Sequence, residues 1–410
     1  MERGDPHHDI VITGMGVATR LGDLASTAKG ARTGEVPPFE IWEPAVSLST
    51  RCQVVGLYPH ALDDDTLGID RAESRFMGRA ARLALRASRD AMAQSGVDVE
   101  GLAVVVASGS GDVEAHRRIH GLLEESRARR VGATVIPQIM SSTVSANLVN
   151  VLRATGASAS VAAACAGGAW NLVVAAQLVS SGHAAAALAG GVEVADVHFH
   201  SGFDSMGAYT RVDNDRPDRA SRPYAADRAG FVFAEGAGVL VVERRDRAEA
   251  RGAPILAVLR GWGLSSDGQG QMVVPSASGA LSAMSQALRH GAVPPEALDY
   301  VNTHATSTPR GDLVEALAVR ELVGRPVAYS STKCVTGHTI SGAGAIEAAL
   351  TATMLREGWI APALHVDELD PALVEFPPVL EPTDATLRYA LSNSFGFGGT
   401  NVSLLLERDA

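Results

Sequence analysis

Cys165, His304 and His338 are the side chains of this sequence best placed to do chemistry. Cys165 follows an apolar stretch, Ser158 to Ala163, and precedes a helical pattern that starts near Gly167. A strand-to-helix turn would hold its sulfur at a helix N-terminus, where partial positive charge favours thiolate. An unperturbed thiol, with a pKa of about 8.5, is only about 3% ionised at neutral pH, and a drop of about two units makes it mostly thiolate. Ala164, Ala166, Gly167 and Gly168 leave room for a ligand to reach the sulfur; the competing reading is a buried, inert cysteine.

His304 ends the strand Tyr300–Thr303 and enters a loop rich in hydroxyls, marked by Pro309 and Gly311. His338 follows another strand, in Lys333-Cys-Val-Thr-Gly-His338. A lone histidine at a strand end is more often structural. Two of them with a turn cysteine, in α/β layers, read as a site at strand ends. Lys333 and Glu347 are either a surface pair or a buried pair that orients the imidazoles. The segment Asn393 to Asn401 sets three glycines around Phe395 and Phe397. Its amides would form an oxyanion hole, or it is a plain hairpin turn.

The elements that position these residues alternate. Strands are expected at Asp9–Thr13, Leu102–Ala107, Ser158–Ala163 and Ala184–Gly190, with a hairpin over Phe231–Glu243 broken at Gly236–Gly238. Helices are expected at Glu73–Ser95 and Gly167–Ser181. The alternation restarts with a strand at Ile255–Leu259 and a helix at Ser278–His290. Asp312–Leu322 and the alanine-rich Gly342–Leu355 are further helices; Leu387–Ser392 and Asn401–Leu406 close the chain as strands. This is an α/β protein of two similar halves, 1–253 and 254–410, in one fused core. Gly14-Met-Gly16 after the first strand lacks the third glycine of a dinucleotide fingerprint, and a tight turn is the better reading. His198-Phe-His200 would share a strand face, but no further ligand cluster accompanies it, so no metal is expected there.

Composition narrows the classes. The chain has 410 residues and a net charge of −11, which argues against a nucleic-acid binder. Hydrophobic residues are 46% and aromatics 5%, so small residues build a large core. Three cysteines are too few for a disulfide framework and fit a reducing, cytoplasmic setting. The charged N-terminal stretch, Met1 to Asp9, reads as no secretory signal. Ala157–Ala195 is the longest apolar tract, but Gly167–Gly168 and Ser180–Gly182 divide it, so no membrane span is expected.

Taken together these segments resemble the β-ketoacyl-acyl carrier protein synthases of the elongating I/II type, with their thiolase-like fold. The resemblance covers nearly the whole chain and rests on the Cys165 turn, Asn302–Asp312, Ser331–His338 and Asn393–Asn401. Phe203–Ala208, Ala220–Tyr224 and Asp227–Phe231 also match. Phe203–Ala208, Met272–Pro275, Gly358–Pro362 and Glu368–Asp370 lean toward type I. The sequence departs from the family pattern at Ala166, Gly167, Ala305 and Gln271-Met272.

The resemblance implies a five-layered αβαβα architecture of two pseudo-duplicated halves. It implies an acyltransferase that takes an acyl chain onto Cys165 from a phosphopantetheine thioester. His304 and His338 then hold the enolate formed by decarboxylating a malonyl thioester. Lys333 and Glu347 match the supporting pair, and Phe397 the gate of the acyl pocket, whose amide joins that of Cys165 in the oxyanion hole. Thr306 and Thr308 match positions that bind the pantetheine arm, and Ser110 is placed by the acyl tail. No cofactor or metal is implied. The partners implied are an acyl carrier protein and a second copy of the chain, or a ketosynthase-like partner in a heterodimer. Such carriers are acidic, so docking on this acidic chain needs a local basic patch, for which Arg127, Arg129 and Arg130 are the candidates. The reading from a different class is a non-catalytic chain-length factor; those lack the nucleophile.

Overall fold

Long apolar runs rich in valine and alanine build strands buried on both faces. In the N-terminal half these are β1 (Ile10–Thr19), β2 (Leu102–Ser108), β3 (Ser158–Ala159), β4 (Ala186–Glu193) and β5 (Gly236–Arg244). The C-terminal half supplies β6 (Ala257–Ser266), β7 (Tyr300–Asn302), β8 (Ala328–Ser330), β9 (Tyr389–Gly396) and β10 (Thr400–Glu407). This computed structural model describes residues 9–270 and 272–409. The remainder of the charged N-terminal stretch, with Gln271 and Ala410, lies outside the described residues.

The strands form one mixed sheet in the order β8-β7-β9-β10-β6-β1-β5-β4-β2-β3. Numbered within its own half, each set of five has the same order, third-second-fourth-fifth-first. The pairing senses match too: second with third and with fourth are parallel, and the rest antiparallel. The halves join where Val11 and Ile12 of β1 pair with Val258 and Ala257 of β6.

Helices cover both faces. α1 (Arg79–Ser95) and α3 (Thr143–Leu152) pack outside the N-terminal strands. Between α1 and α3 lies the exposed α2 (Val113–Glu124). α4 (Gly167–Ser180) and α8 (Ala343–Glu357) pack on each other and on strands of both halves. α5 (Val197–Met206) lies beside the site, while α6 (Ala277–His290) covers the C-terminal strands and α7 (Pro309–Val323) packs beside α6. Because α4 and α8 touch strands of both halves, they form a middle layer between the two five-stranded halves of the sheet, with the other helices outside, which gives the expected five layers, αβαβα. The middle layer is tight because of glycines: a Cβ on Gly168 would lie 2.8 Å from the Ser341 carbonyl, and one on Gly344 2.8 Å from the Ala169 nitrogen.

Several sequence expectations are corrected. Gly14 and Gly16 are not in a turn but inside β1, because α1 crosses there: a Cβ would lie 2.0 Å from the Ala91 oxygen or 1.8 Å from the Ala87 oxygen. Phe231–Glu243 is no hairpin. Phe233–Ala234 pairs in parallel with Val55–Gly56, and β5 enters the main sheet between β1 and β4. Gly236 and Gly238 are the places where α8 and its approach cross the strand, a Cβ on Gly238 falling 2.4 Å from the Ile346 nitrogen. The helix expected from Glu73 is interrupted from Arg75 to Gly78, and at Gly78 a Cβ would lie 2.1 Å from the Asp112 carboxylate. The strand Ser158–Ala163 stops at Ala159; beyond it the buried Asn171 accepts the Val161 N–H at 3.0 Å and donates to the Gly190 carbonyl at 2.9 Å. His198 and His200 lie on helix α5, two residues apart, and share no face: His198 is exposed beside Asp196, and His200 Nε2 meets the Cys52 carbonyl at 2.8 Å.

Candidate active site

The duplicated topology brings the reactive residues together. In each half the third strand is followed by the segment leading into a central helix. β3 leads through Cys165 into α4, and β8 leads through Lys333 and His338 into α8. His304 sits just beyond the second strand of its half, β7. Cys165 lies in a one-turn helix, Ala164–Ala166, and Ala164 before it has φ +44°. This left-handed conformation is strained for any residue but glycine, and such strain collects at functional sites.

The Cys165 sulfur and one ring nitrogen from each of His304 and His338 lie within 4.8 Å of one another. The two imidazoles stand edge to face, centroids 5.2 Å apart. The three residues line a cavity of about 390 Å³ together with Thr306, Thr308 and Phe397. Among the described residues they are also the one His/Cys/Asp/Glu cluster close enough to hold a cation.

Burial sets the protonation states. Desolvation pushes the Cys165 thiol up to about 12, outweighing the nearby Lys333 charge and the Phe397 amide, both of which pull it down. The expected lowered thiol pKa is therefore not what this cavity produces; the resting group is a neutral thiol. His304 and His338 are held well below the ordinary histidine range, first by burial and then by the Lys333 charge, with each other's proximity adding to His304. Both are neutral at physiological pH, so each carries one N–H donor. Alkylation of Cys165 by iodoacetamide should still accelerate with pH beyond about pH 9, since only thiolate reacts. A rate that levels off below about pH 8 would contradict a neutral resting thiol.

Lys333 and Glu347 are both buried and hydrogen-bonded, Nζ to Oε1. Burial raises the Glu347 carboxyl to about 7, against the pull of the Lys333 charge. Breaking such a pair leaves an uncompensated buried charge. The amides of Phe397 and of Cys165 itself both act on the Cys165 sulfur. Phe397 lies in the turn between β9 and β10, so the oxyanion-hole and hairpin readings of this segment describe the same turn. Its ring is half-buried, 6.0 Å from that of Phe203.

Three acids escaped sequence reasoning. Glu315 on α7 accepts the backbone N–H groups of His304 and Ala305, both at 2.9 Å, and the Asn393 side-chain amide at 2.9 Å. It thereby ties the histidine loop to β9. Burial raises its carboxyl to about 7, and that of Asp312 to about 6. Asp312 accepts from the Thr308 and Tyr224 amides and lies 3.4 Å from the buried Arg228. Asp267 accepts from Asn401 at 2.8 Å, and its own amide donates to the Gly399 carbonyl at 2.9 Å, which clamps the turn carrying Phe397. The available signal was the pair of acids three apart at the start of α7, directly after the histidine loop.

Other candidates fall elsewhere. Ser110 is not in the cavity wall; its hydroxyl donates to the buried Glu193 at 2.5 Å. Arg129 and Arg130 are exposed in a one-turn helix after α2, and Arg127 precedes them, paired with Glu125 at 2.5 Å. At Gly167, one of the departures from the family pattern, a Cβ would lie 2.5 Å from the Ser341 hydroxyl, so Ser341 fills that space from the approach to the other central helix.

The family model described as "Beta-ketoacyl synthase, N-terminal domain" matches residues 7–248, and "Beta-ketoacyl synthase, C-terminal domain" matches residues 256–367. The chain belongs to the β-ketoacyl synthase family. This β-ketoacyl synthase is 37% identical to 3-oxoacyl-[acyl-carrier-protein] synthase 1 of Escherichia coli K12, over 97% of this chain and 98% of that one. It is 33% identical to the synthase 2 of Vibrio cholerae, over 97% of this chain and 99% of the other. A crystal structure of a β-ketoacyl synthase from Burkholderia phymatum superposes with a TM-score of 0.92 at 32% identity, covering 98% of this chain and 100% of that one. The fold is thiolase-like. Among the described residues no helix is long and apolar enough to cross a membrane.

Proposed function

We propose that this β-ketoacyl synthase is a 3-oxoacyl-[acyl-carrier-protein] synthase, which extends an acyl group held on Cys165 by decarboxylative condensation with a malonyl carrier protein. The observation that carries this reading is the meeting of one sulfur and two imidazoles within 4.8 Å on the wall of one cavity. A non-catalytic chain-length factor would not need that meeting.

In the first half-reaction the Cys165 sulfur attacks the acyl thioester carbon. The carbon–sulfur bond to the carrier arm breaks, and the thiol proton goes to the departing arm sulfur. In the second, the bond between the malonyl carboxyl and its methylene breaks and carbon dioxide leaves. The electron pair becomes an enolate, whose oxygen takes N–H donors from His304 and His338. The carbanion attacks the acyl-Cys165 carbonyl. The resulting oxyanion is held by the amides of Cys165 and Phe397; its collapse breaks the carbon–sulfur bond and expels Cys165 as thiolate, which takes a proton from water. Preorganised donors of this kind act most strongly in a water-poor site. Lys333 and Glu347 keep the imidazoles neutral and oriented. Thr306 and Thr308, on the cavity wall, hold the arm, and Phe397 gates the acyl chain.

Residues 1–253 are then the half that supplies the nucleophile, and 254–410 the half that supplies the histidines. A homodimer is the natural assembly: β3 stands at the open edge of the sheet beside the nucleophile loop, and unpaired edges attract a partner strand. A ketosynthase-like partner would satisfy the same edge. The three free, buried cysteines suit a cytoplasmic enzyme.

The acidic carrier docks on Arg127, Arg129 and Arg130. With acyl- and malonyl-carrier protein as substrates, the wild-type protein should release carbon dioxide and lengthen the acyl chain by two carbons. No lengthening overturns the function. The double variant Arg129→Glu/Arg130→Glu should raise KM for carrier-bound substrate by about 10-fold, with kcat nearly unchanged. An unchanged KM rejects the patch.

A further inference from the structure

Among the described wall residues of the catalytic cavity, Arg310 is the one lysine or arginine. The wall's acids are already engaged: Asp267 by Asn401, and Glu315 by the His304 loop and Asn393. Arg310 is exposed, and its guanidinium has neither an ion pair nor a hydrogen bond among the described residues. Stability does not explain it. It is the second residue of α7, after Thr308 and Pro309, and the positive end of a helix disfavours a cation.

Its position along the wall suggests what it meets. His304, Thr306 and Thr308 are partly open to the cavity, while Ala305 and Ser307 between them are buried. The Thr306 and Thr308 hydroxyls stand 3.2 Å apart. Arg310, the exposed member, ends this row. The rim beside it is apolar, with Met206, Met272 and Val273 exposed. A thioester whose reacting carbon is at Cys165 and whose arm runs along the two threonines would bring its outer end to Arg310. In the proposed reaction that arm is phosphopantetheine, and its outer end is a phosphate.

We propose that Arg310 binds this phosphate, and so sets the register of the arm in the cavity. A planar guanidinium suits two phosphate oxygens at once, and an apolar rim strengthens the contact by excluding water. This rests on the proposed function, and deepens it by assigning the group that reads the arm's charged end. The same phosphate chemistry occurs in a carrier-bound arm and in coenzyme A.

The test compares malonyl thioesters of pantetheine, phosphopantetheine, coenzyme A and the carrier protein, with wild type, Arg310→Ala and Arg310→Lys. Wild type should use the phosphopantetheine thioester about 10- to 100-fold better than the pantetheine thioester, through KM. Arg310→Ala should lose this preference, and Arg310→Lys should keep part of it. Equal losses with carrier and phosphopantetheine donors assign the phosphate of the arm itself. A larger loss with coenzyme A assigns a free coenzyme as its source. A loss confined to the carrier donor overturns the proposal in favour of a contact with the carrier surface. Calorimetric binding of phosphopantetheine against pantetheine gives the same comparison without turnover. If no chain is extended but binding is phosphate-dependent and lost in Arg310→Ala, the function fails and the site stands. Phosphate-independent binding overturns the site whether or not extension is seen.

Discussion

Cys165→Ala will reduce chain extension by at least about 10³-fold, the scale on which removal of an essential nucleophile acts. Without the sulfur no acyl group can be held in the cavity. The histidines remain, so the malonyl donor should still lose carbon dioxide, now uncoupled from bond formation. Folding should be little affected. The side chain borders an existing cavity of about 390 Å³, and alanine is already its neighbour on both sides. A thermal melt close to that of the wild type, with extension lost and decarboxylation retained, is the expected combination. A variant that still elongates at the wild-type rate would remove Cys165 from the mechanism.

His304→Ala and His338→Ala will each lower extension by about 10²- to 10³-fold, the cost of losing one preorganised oxyanion donor. The loss should fall on the decarboxylation step, because the neutral N–H groups act on charge that develops only when carbon dioxide leaves. The double variant should be less damaged than the product of the two single effects, since the donors act as a unit. Carbon dioxide release from the malonyl donor, measured without an acyl primer, isolates the step. Unimpaired release in either variant would place that histidine outside the enolate site.

Much of this site is legible in the sequence because its residues sit where the chain changes element. Cys165 lies between a strand and a helix, His304 and His338 follow strands, and small residues surround all three. The topology that makes them meet is a repeat, visible in the sequence as strand-helix alternation that starts again near Ile255. What escapes depends on contacts distant in sequence. Asp312 reads as an ordinary first-turn acid, and Glu315 as a polar residue one turn further on, until β9 and the Tyr224 loop are seen packed on them. Gly14, Gly16 and Gly238 read as turn residues, although each accommodates a helix from elsewhere in the chain. His198-Phe-His200 misleads because strand and helix periods are hard to separate over three residues. The thiol pKa goes astray for a related reason: a helix N-terminus is visible locally, whereas the burial that pushes the thiol up is not. The bond from the Ser110 hydroxyl to the buried Glu193 is likewise a contact between distant segments that the sequence does not show.

The mass of the peptide carrying Cys165, taken before and after the malonyl donor is added to enzyme loaded with acyl-carrier protein, tests the account most directly. It should rise by the acyl group on Cys165 alone, then return to the free-thiol value as a chain two carbons longer appears on the carrier. Extension with Cys165 never acylated, or an acyl-Cys165 that malonyl-carrier protein cannot discharge, would contradict it.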